Sequence, residues 1–335
     1  MKKLASKLAI LTVLLAIFLA EVFFIWKQEA FRSQKVAATQ KVAKAKTAQE
    51  EIAIRGVEIK RPVSLLFVGD LMFDRYIRQV AEKRGNNFSF EKMGDLLDQA
   101  DLVVANLEGP VTDNQSRSVN TEIGAKGHLV FTFDQSLAKT LYDENIKLVN
   151  IGNNHIGNFG TEGIKQTKEK LTEAQVGFFG HDQMEYRTKI ENIGGTKIGF
   201  ANYNQFIEAS PDKTLEGIKN LKNQADFVVV YTHWGVEYKT GEPEENIKKI
   251  AHLFVDSGAD LIIGTHPHVV ESEEEYQGKR IYYSLGNFIF DQYFSSETKR
   301  GLAVRVKIDP ESRQIEFENI NLIIDNNGQT RPDKV

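Results

Sequence analysis

DFVVVYTHWGVEYKTGEPEENIKKIAHLFVDSGADLIIGTHPHV, residues 226–269, is the stretch that decides the fold. It reads as strand, helix, strand. Phe227–Tyr231 and Leu261–Ile263 are uninterrupted runs of branched and aromatic residues, the pattern of strands buried on both faces. Between them, Glu244–Ser257 sets Ile247, Ile250, Ala251 and Phe254 on one helical face. A helix between two buried strands is the parallel crossover of α/β proteins. Each strand ends in histidine: His233 after the first, His266 and His268 around Pro267 after the second.

The same strand grammar recurs on either side. VSLLFVGD (63–70), DLVVANLEG (101–109), IKLVNIGNNH (146–155), KIGFANYN (197–204) and RIYYSLGNF (280–288) are apolar runs closed by polar or glycine-rich turns. Helical spacing fills gaps at Asn86–Ala100, Gln135–Asn145 and Thr161–Gln175. GLAVRVKI (301–308), QIEFENINLII (314–324) and the Asn326–Asn327–Gly328 turn predict an antiparallel closing section. The expected class is α/β, with buried, largely parallel strands.

Charge divides the chain. Residues 1–60 carry 11 basic and 5 acidic side chains (+6), and residues 61–335 carry 31 and 41 (−10). A −10 globular part argues against nucleic acid as a partner, because phosphate binding needs a basic surface. Leu8–Trp26 is a 19-residue apolar run behind Lys2, Lys3 and Lys7, broken only by Thr12 and Glu21. As a helix it reaches about 28 Å, enough to cross a bilayer. An uncleaved anchor over 1–26 is preferred to a cleaved signal peptide, since Phe18 stands two residues before Ala20 where a small residue belongs. Residues 27–60, rich in Ala, Lys, Gln and Glu, read as a helical or flexible stalk, and 61–335 as the folded domain. Lysines and arginines balance across the run, so charge alone does not orient it.

Cysteine is absent, so a metal would have to sit on His, Asp, Glu and Asn. Four of the seven histidines stand at expected strand ends, with Asp70, Asn106, Glu108 and Asn154. In open α/β sheets those ends converge on one crevice. His-x-His alone is a weak signal, since a turn histidine is more often a packed, hydrogen-bonded residue. Joined by the other strand ends, it makes a divalent-metal site the stronger reading. Arg75 is either a grip for a substrate carboxylate or a surface ion pair, and Asn287 either lines the crevice or caps a turn. Trp234 reads as a buried aromatic, Glu271–Glu275 as a solvated loop, His252 as a surface or interface residue, and His128 and His181 lack a partner pattern.

Taken in order, GDLMFDR (69–75), NLEGP (106–110), GNNHIGNFG (152–160), THWG (232–235), GTHPHV (264–269) and YSLGNFIFD (283–291) resemble the bacterial capsule-synthesis CapA/PgsA family. That family is associated with poly-γ-glutamate and is distantly similar to calcineurin-like metallophosphoesterases. The resemblance implies a metallophosphoesterase-like αββα fold. It also implies one or two divalent ions (Mn, Zn, Mg or Fe): Asp70 and His268 for the first, Glu108 as bridge, and Asn154, His233 and His266 for the second. His155 resembles the histidine that donates a proton or stabilises charge at the leaving group; a structural hydrogen bond in its turn is the alternative. Arg75, Asn106 and Asn287 become candidate substrate contacts. Two departures weaken a two-metal phosphodiesterase: Met72 stands where that pattern has histidine, and Glu108 where it has aspartate.

The function so implied is a single-pass, extracytoplasmic protein of the cell membrane. It would act with other capsule-synthesis membrane subunits on an anionic polymer such as poly-γ-glutamate, through a metal-assisted hydrolase- or transferase-like site. A noncatalytic scaffold of the capsule machinery and a metal-dependent phosphodiesterase are the alternatives. The −10 domain sits awkwardly with a polyanion.

Overall fold

Alternate side chains of the first strand, β1 (Val63–Leu71), enter different cores. Val63, Leu65 and Phe67 join a cluster between two sheets, whereas Leu66 and Val68 join one beneath helices. This period-two division sets the layering. The computed structural model describes residues 60–180, 187–208, 210–312 and 314–333. The anchor and stalk expected over 1–26 and 27–60 lie outside the described residues, Lys60 excepted, as does His181. Among the described residues no helix is long and apolar enough to cross a membrane.

The first sheet contains β1, β2 (Leu102–Leu107), β3 (Ile146–Asn150) and β4 (Gly177–Phe179), all parallel. The second contains β5 (Thr188–Ile193), β6 (Thr196–Asn204), β7 (Phe227–His233) and β8 (Leu261–Thr265), with β9 (Glu273–Tyr276) and β10 (Lys279–Tyr282) completing it in the order β5-β6-β7-β8-β10-β9. β6, β7, β8 and β10 are parallel, and the edges β5 and β9 antiparallel. A short strand, β11 (Asn287–Ile289), pairs with the carboxyl end of β1. The expected tail then closes the first sheet as antiparallel β12 (Arg300–Ile308), β13 (Ile315–Ile324) and β14 (Thr330–Pro332).

Helices cover the outer faces. α1 (Arg75–Arg84), α2 (Leu137–Asp143) and α3 (Gly160–Glu173) lie in the first half of the chain. Leu137, Leu141 and Leu171 from α2 and α3 pack on the first sheet. α4 (Asp212–Lys222) and α5 (Glu245–Asp256) pack Ile218, Leu221, Ile247, Ala251 and Phe254 on the second. Phe67, Phe179, Phe200 and Tyr231 meet between the sheets, each contributing about 1.5–3 kcal/mol by burial. The mixed α/β fold of two helix-flanked sheets is therefore as expected.

Three local readings change. Asn86–Ala100 forms two short 3-10 turns, Asn86–Phe90 and Gly94–Leu96, because Gly94 adopts a positive φ of 58° and interrupts the helix. Glu273–Tyr276 of the acidic run is an edge strand, held by Arg280 to Glu273 at 3.0 Å, and Glu271 before it is buried. Charges on one edge strand are tolerated where a cross-strand cation meets them. RIYYSLGNF is two strands in different sheets rather than one, crossing between them at Ser284–Gly286.

That crossing forces two glycines. A Cβ on Gly69 would lie 1.8 Å from the Gly286 carbonyl oxygen, and one on Gly264 would lie 1.8 Å from that of Tyr283. The linker can bind both sheets only where β1 and β8 lack side chains.

Candidate metal centre

Register brings the strand-end residues into rows. Across the first sheet, Asn287, Asp70, Asn106 and Asn150 are successive neighbours; across the second, Asn204, His233 and Thr265 are. The turn after β3 adds Asn153, Asn154 and His155, and that after β8 adds His266 and His268. His266 (φ 100°) and His268 (φ 59°) both hold left-handed backbone conformations around Pro267. Non-glycine residues adopt these at a cost that clusters at functional sites.

Glu108, His233 and His266 offer ligand atoms all within 4.8 Å of one another, and Asp70, Glu108 and His268 do the same. Glu108 belongs to both groups. All five side chains are buried. Asn154 joins the first group, its Oδ1 3.0 Å from His233 Nε2. Thr265 donates its hydroxyl proton to the Thr232 carbonyl, so its oxygen, 3.1 Å from His233 Nδ1, accepts from that ring. Asn106 Nδ2 also stands 3.4 Å from that Nδ1, and Nε2 faces Asn154 Oδ1.

His268 is held likewise. Asn287 donates its amide to the carbonyls of His268 and Thr298 and to Gln292, so its Oδ1 accepts from His268 Nδ1 at 3.0 Å. His268 Nε2 then faces Glu108 Oε1 at 3.6 Å. Asp70 accepts from Asn106 Nδ2 at 2.7 Å and from the His266 amide at 3.3 Å. Asn106 in turn accepts from Asn150 and Asn153, and Asn150 from Asn202.

Against this background Glu108 stands out. Both of its carboxylate oxygens are buried without a hydrogen-bond donor, and so is His266 Nδ1. A buried carboxylate left in this way is costly. Burial, and then the Asp70 charge, hold its carboxyl well above the usual range. Burial also pushes His233 well below the ordinary imidazole value, His266 down to about 3 and His155 down to about 4. Three imidazoles, two carboxylates and an amide oxygen are the donor set of a divalent transition metal, and these groups could hold such an ion.

His155 lies at the rim of the cluster. Its Nδ1 is 3.2 Å from Asn158 Oδ1, its ring packs on Phe131 at 4.4 Å, and its Nε2 is 3.9 Å from Glu108 Oε1. Met72 sits in the core with its sulfur accepting from the Asp74 amide, away from the ligand groups. Arg75 is not at the surface. Its buried guanidinium pairs with Asp291, meets His128 Nε2 at 3.1 Å and lies over Phe131 and Phe290. Trp234 is buried, as expected, and His252 is half-buried on Tyr276 and Glu274.

A family model described as bacterial capsule synthesis protein PGA_cap matches residues 64–292. The chain belongs to this capsule-synthesis family. It is 35% identical over 249 residues to the PGA biosynthesis protein CapA of Bacillus subtilis (strain 168), covering 69% of this chain and 64% of the relative. It is 30% identical over 256 residues to the capsule biosynthesis protein CapA of Bacillus anthracis, covering 69% of this chain and 60% of the relative. The matched part thus spans less than two thirds of either relative's length.

Several groups beside the cluster escape sequence reading. Asn150 and Asn202 carry the asparagine relay, Phe206 packs on His266 at 4.2 Å, and Tyr238 lies 6.0 Å from His268. The strand-end position of Asn202 was the available signal; Phe206 and Tyr238 lie in loops and gave none. Asn287→Ala should lower divalent-metal affinity about ten- to a hundredfold, the usual cost of losing a residue that orients a metal-ligating histidine. Competition titration with a fluorescent chelator measures it, and unchanged affinity would remove Asn287 from the support of His268.

Proposed function

We propose that this is a membrane-anchored, extracytoplasmic capsule-biosynthesis protein that makes, exports or attaches a poly-γ-glutamate-like polymer through a metal-assisted hydrolase- or transferase-like site. The observation that carries the site is Glu108, buried and unpartnered between two groups of ligands. Glu108, Asn154, His233 and His266 would hold one ion, and Asp70, Glu108 and His268 a second. A divalent ion bound there polarises a carbonyl or phosphoryl oxygen and makes water a nucleophile near neutral pH.

The chain's own groups supply the rest. Asn158 accepts from His155 Nδ1, so the neutral Nε2 faces the cluster and can take a proton, then return it to a leaving group. Asn106 and Asn287 reach Asp70 and His268 rather than open solvent, and act on the ligands they hold. Phe131 and Phe206 pack on the rings of His155 and His266 and keep water from those faces. Other membrane subunits of the capsule machinery are the expected partners.

A noncatalytic scaffold is the second reading, favoured by Met72, whose core position leaves the Asp70 group without the histidine of the phosphoesterase pattern. Metal analysis of the full-length protein beside His266→Ala, with capsule complementation by both, tests the proposal. The expected result is metal in the parent, little in the variant, and no capsule from the variant. Full complementation by a metal-free variant would sink both the metal and the catalytic parts.

A further inference from the structure

One cavity shares a wall with the metal cluster and has no part in the preceding reading. It has a volume of about 710 Å³, and Tyr238, Phe294, Leu129, Val130 and Ile123 line it together with Arg75. Aromatic side chains link its lining to the cluster. Tyr238 lies 6.0 Å from His268, and the Arg75 guanidinium packs on Phe131 and Phe290, whose rings contact His155 at 4.4 Å and His268 at 4.7 Å.

Two observations fix what the cavity can take. The first is apolar exposure: Ile123, Leu129 and Phe294 are 82%, 59% and 58% exposed around one opening. Large apolar side chains gathered round a cavity of this size mark a ligand or interaction site. The second is charge. Among the lining residues Arg75 is the one guanidinium or ammonium; Asp291 neutralises it, His128 also faces it, and Glu237 adds a negative charge. A glutamate polymer entering here would meet like charge and an apolar wall.

We infer that this cavity receives the hydrocarbon chain of an amphiphilic substrate whose anionic head lies at the metal cluster. The inference rests on the metal reading of that cluster and narrows its substrate to a lipid-linked, rather than a free, polymer or precursor. An apolar chain against Leu129, Val130 and Phe294 gains from leaving water, and its head would lie on the side where Tyr238 and Phe131 pack on the His268 and His155 rings. The acidity of the domain then ceases to conflict with its substrate, because only the head needs cations.

Titration of the full-length protein in lipid nanodiscs, loaded with Mn(II), against monoalkyl phosphates from ethyl to octyl tests this. Affinity should rise about threefold per methylene and at least about a hundredfold across the series. Leu129→Asp and Phe294→Asp, both at exposed positions, should flatten the series while leaving ethyl phosphate affinity and metal content unchanged. A flat series in the metal-loaded parent would overturn the inference and leave the metal reading intact. A series equally steep in both variants would assign the effect to partition into lipid and also overturn it. So would variants that turn a dimer into a monomer without changing the series, since the rim would then be a self-interface. A steep series that the variants flatten in a protein without metal would uphold the cavity and remove the metal reading instead.

Discussion

Replacing Glu108 with Gln should abolish divalent-metal binding without lowering the stability of the metal-free fold. Ordinarily, removing a fully buried charge that has partners costs several kcal/mol. Here neither carboxylate oxygen has a hydrogen-bond donor, and Asp70 adds a second carboxylate to the same pocket. Glutamine keeps the volume and has no charge to bury, so only the chelator-treated parent carries the cost of a carboxyl that burial and Asp70 hold well above its usual range, and the variant should melt at or above the parent's temperature. With metal the order inverts. A ligand at a thousandfold excess over its Kd stabilises the parent by about 4 kcal/mol, and the variant should show no such increment. The loss in affinity should exceed the ten- to hundredfold that follows loss of a merely supporting residue. Thermal unfolding with and without Mn(II), beside metal content by mass spectrometry, reads both effects. A metal-free variant that melts well below the parent would show that Glu108 has a stabilising partner; one that retains the metal increment would remove the bridge.

The same residue shows how far the sequence could be read. Strand ends located Asp70, Glu108, His233, His266 and His268, because a buried apolar run that stops at a charged or imidazole side chain leaves few places for it except a crevice. The α/β class was legible for a related reason: uniform strands such as FVVVYTH demand cover on both faces, while the pairing of two sheets came only with the family resemblance. Arg75 was not legible. Its partner Asp291 is distant in sequence and arrives only through the parallel pairing of β11 with β1, so spacing around Asp70 carried no trace of the ion pair. The split of RIYYSLGNF was hidden likewise, since period-two patterning says that a residue is buried but not in which sheet. α1 and α4 went unread because few of their residues are apolar; α1 buries only Ile77 besides Arg75. Asn106 shows the limit most clearly. A strand-end asparagine reads equally as a substrate contact or a turn residue, and only the register Asp70, Asn106, Asn150 places its amide on Asp70.

His155→Gln should separate an enzyme from a scaffold. The ring touches the cluster only at its edge, with Nε2 3.9 Å from Glu108, and its backbone amide is held by Asn153 whatever the side chain. Metal content and melting temperature should therefore stay close to those of the parent, apart from the lost packing on Phe131. Burial keeps the imidazole neutral at physiological pH, with its value down to about 4, so the ring meets the reaction as a proton acceptor before it can act as a donor. Glutamine fills much of the same space and donates or accepts hydrogen bonds, yet it cannot carry a proton between atoms. Losing such a group typically costs about 10²–10⁴-fold in rate, which in a capsule-deficient host complemented by the variant should appear as a cell surface nearly bare of polymer. Capsule at the parent's level from His155→Gln, combined with none from His266→Ala, would identify a metal-dependent scaffold: the cluster would then hold a shape that other subunits recognise, and no proton would need to move through it.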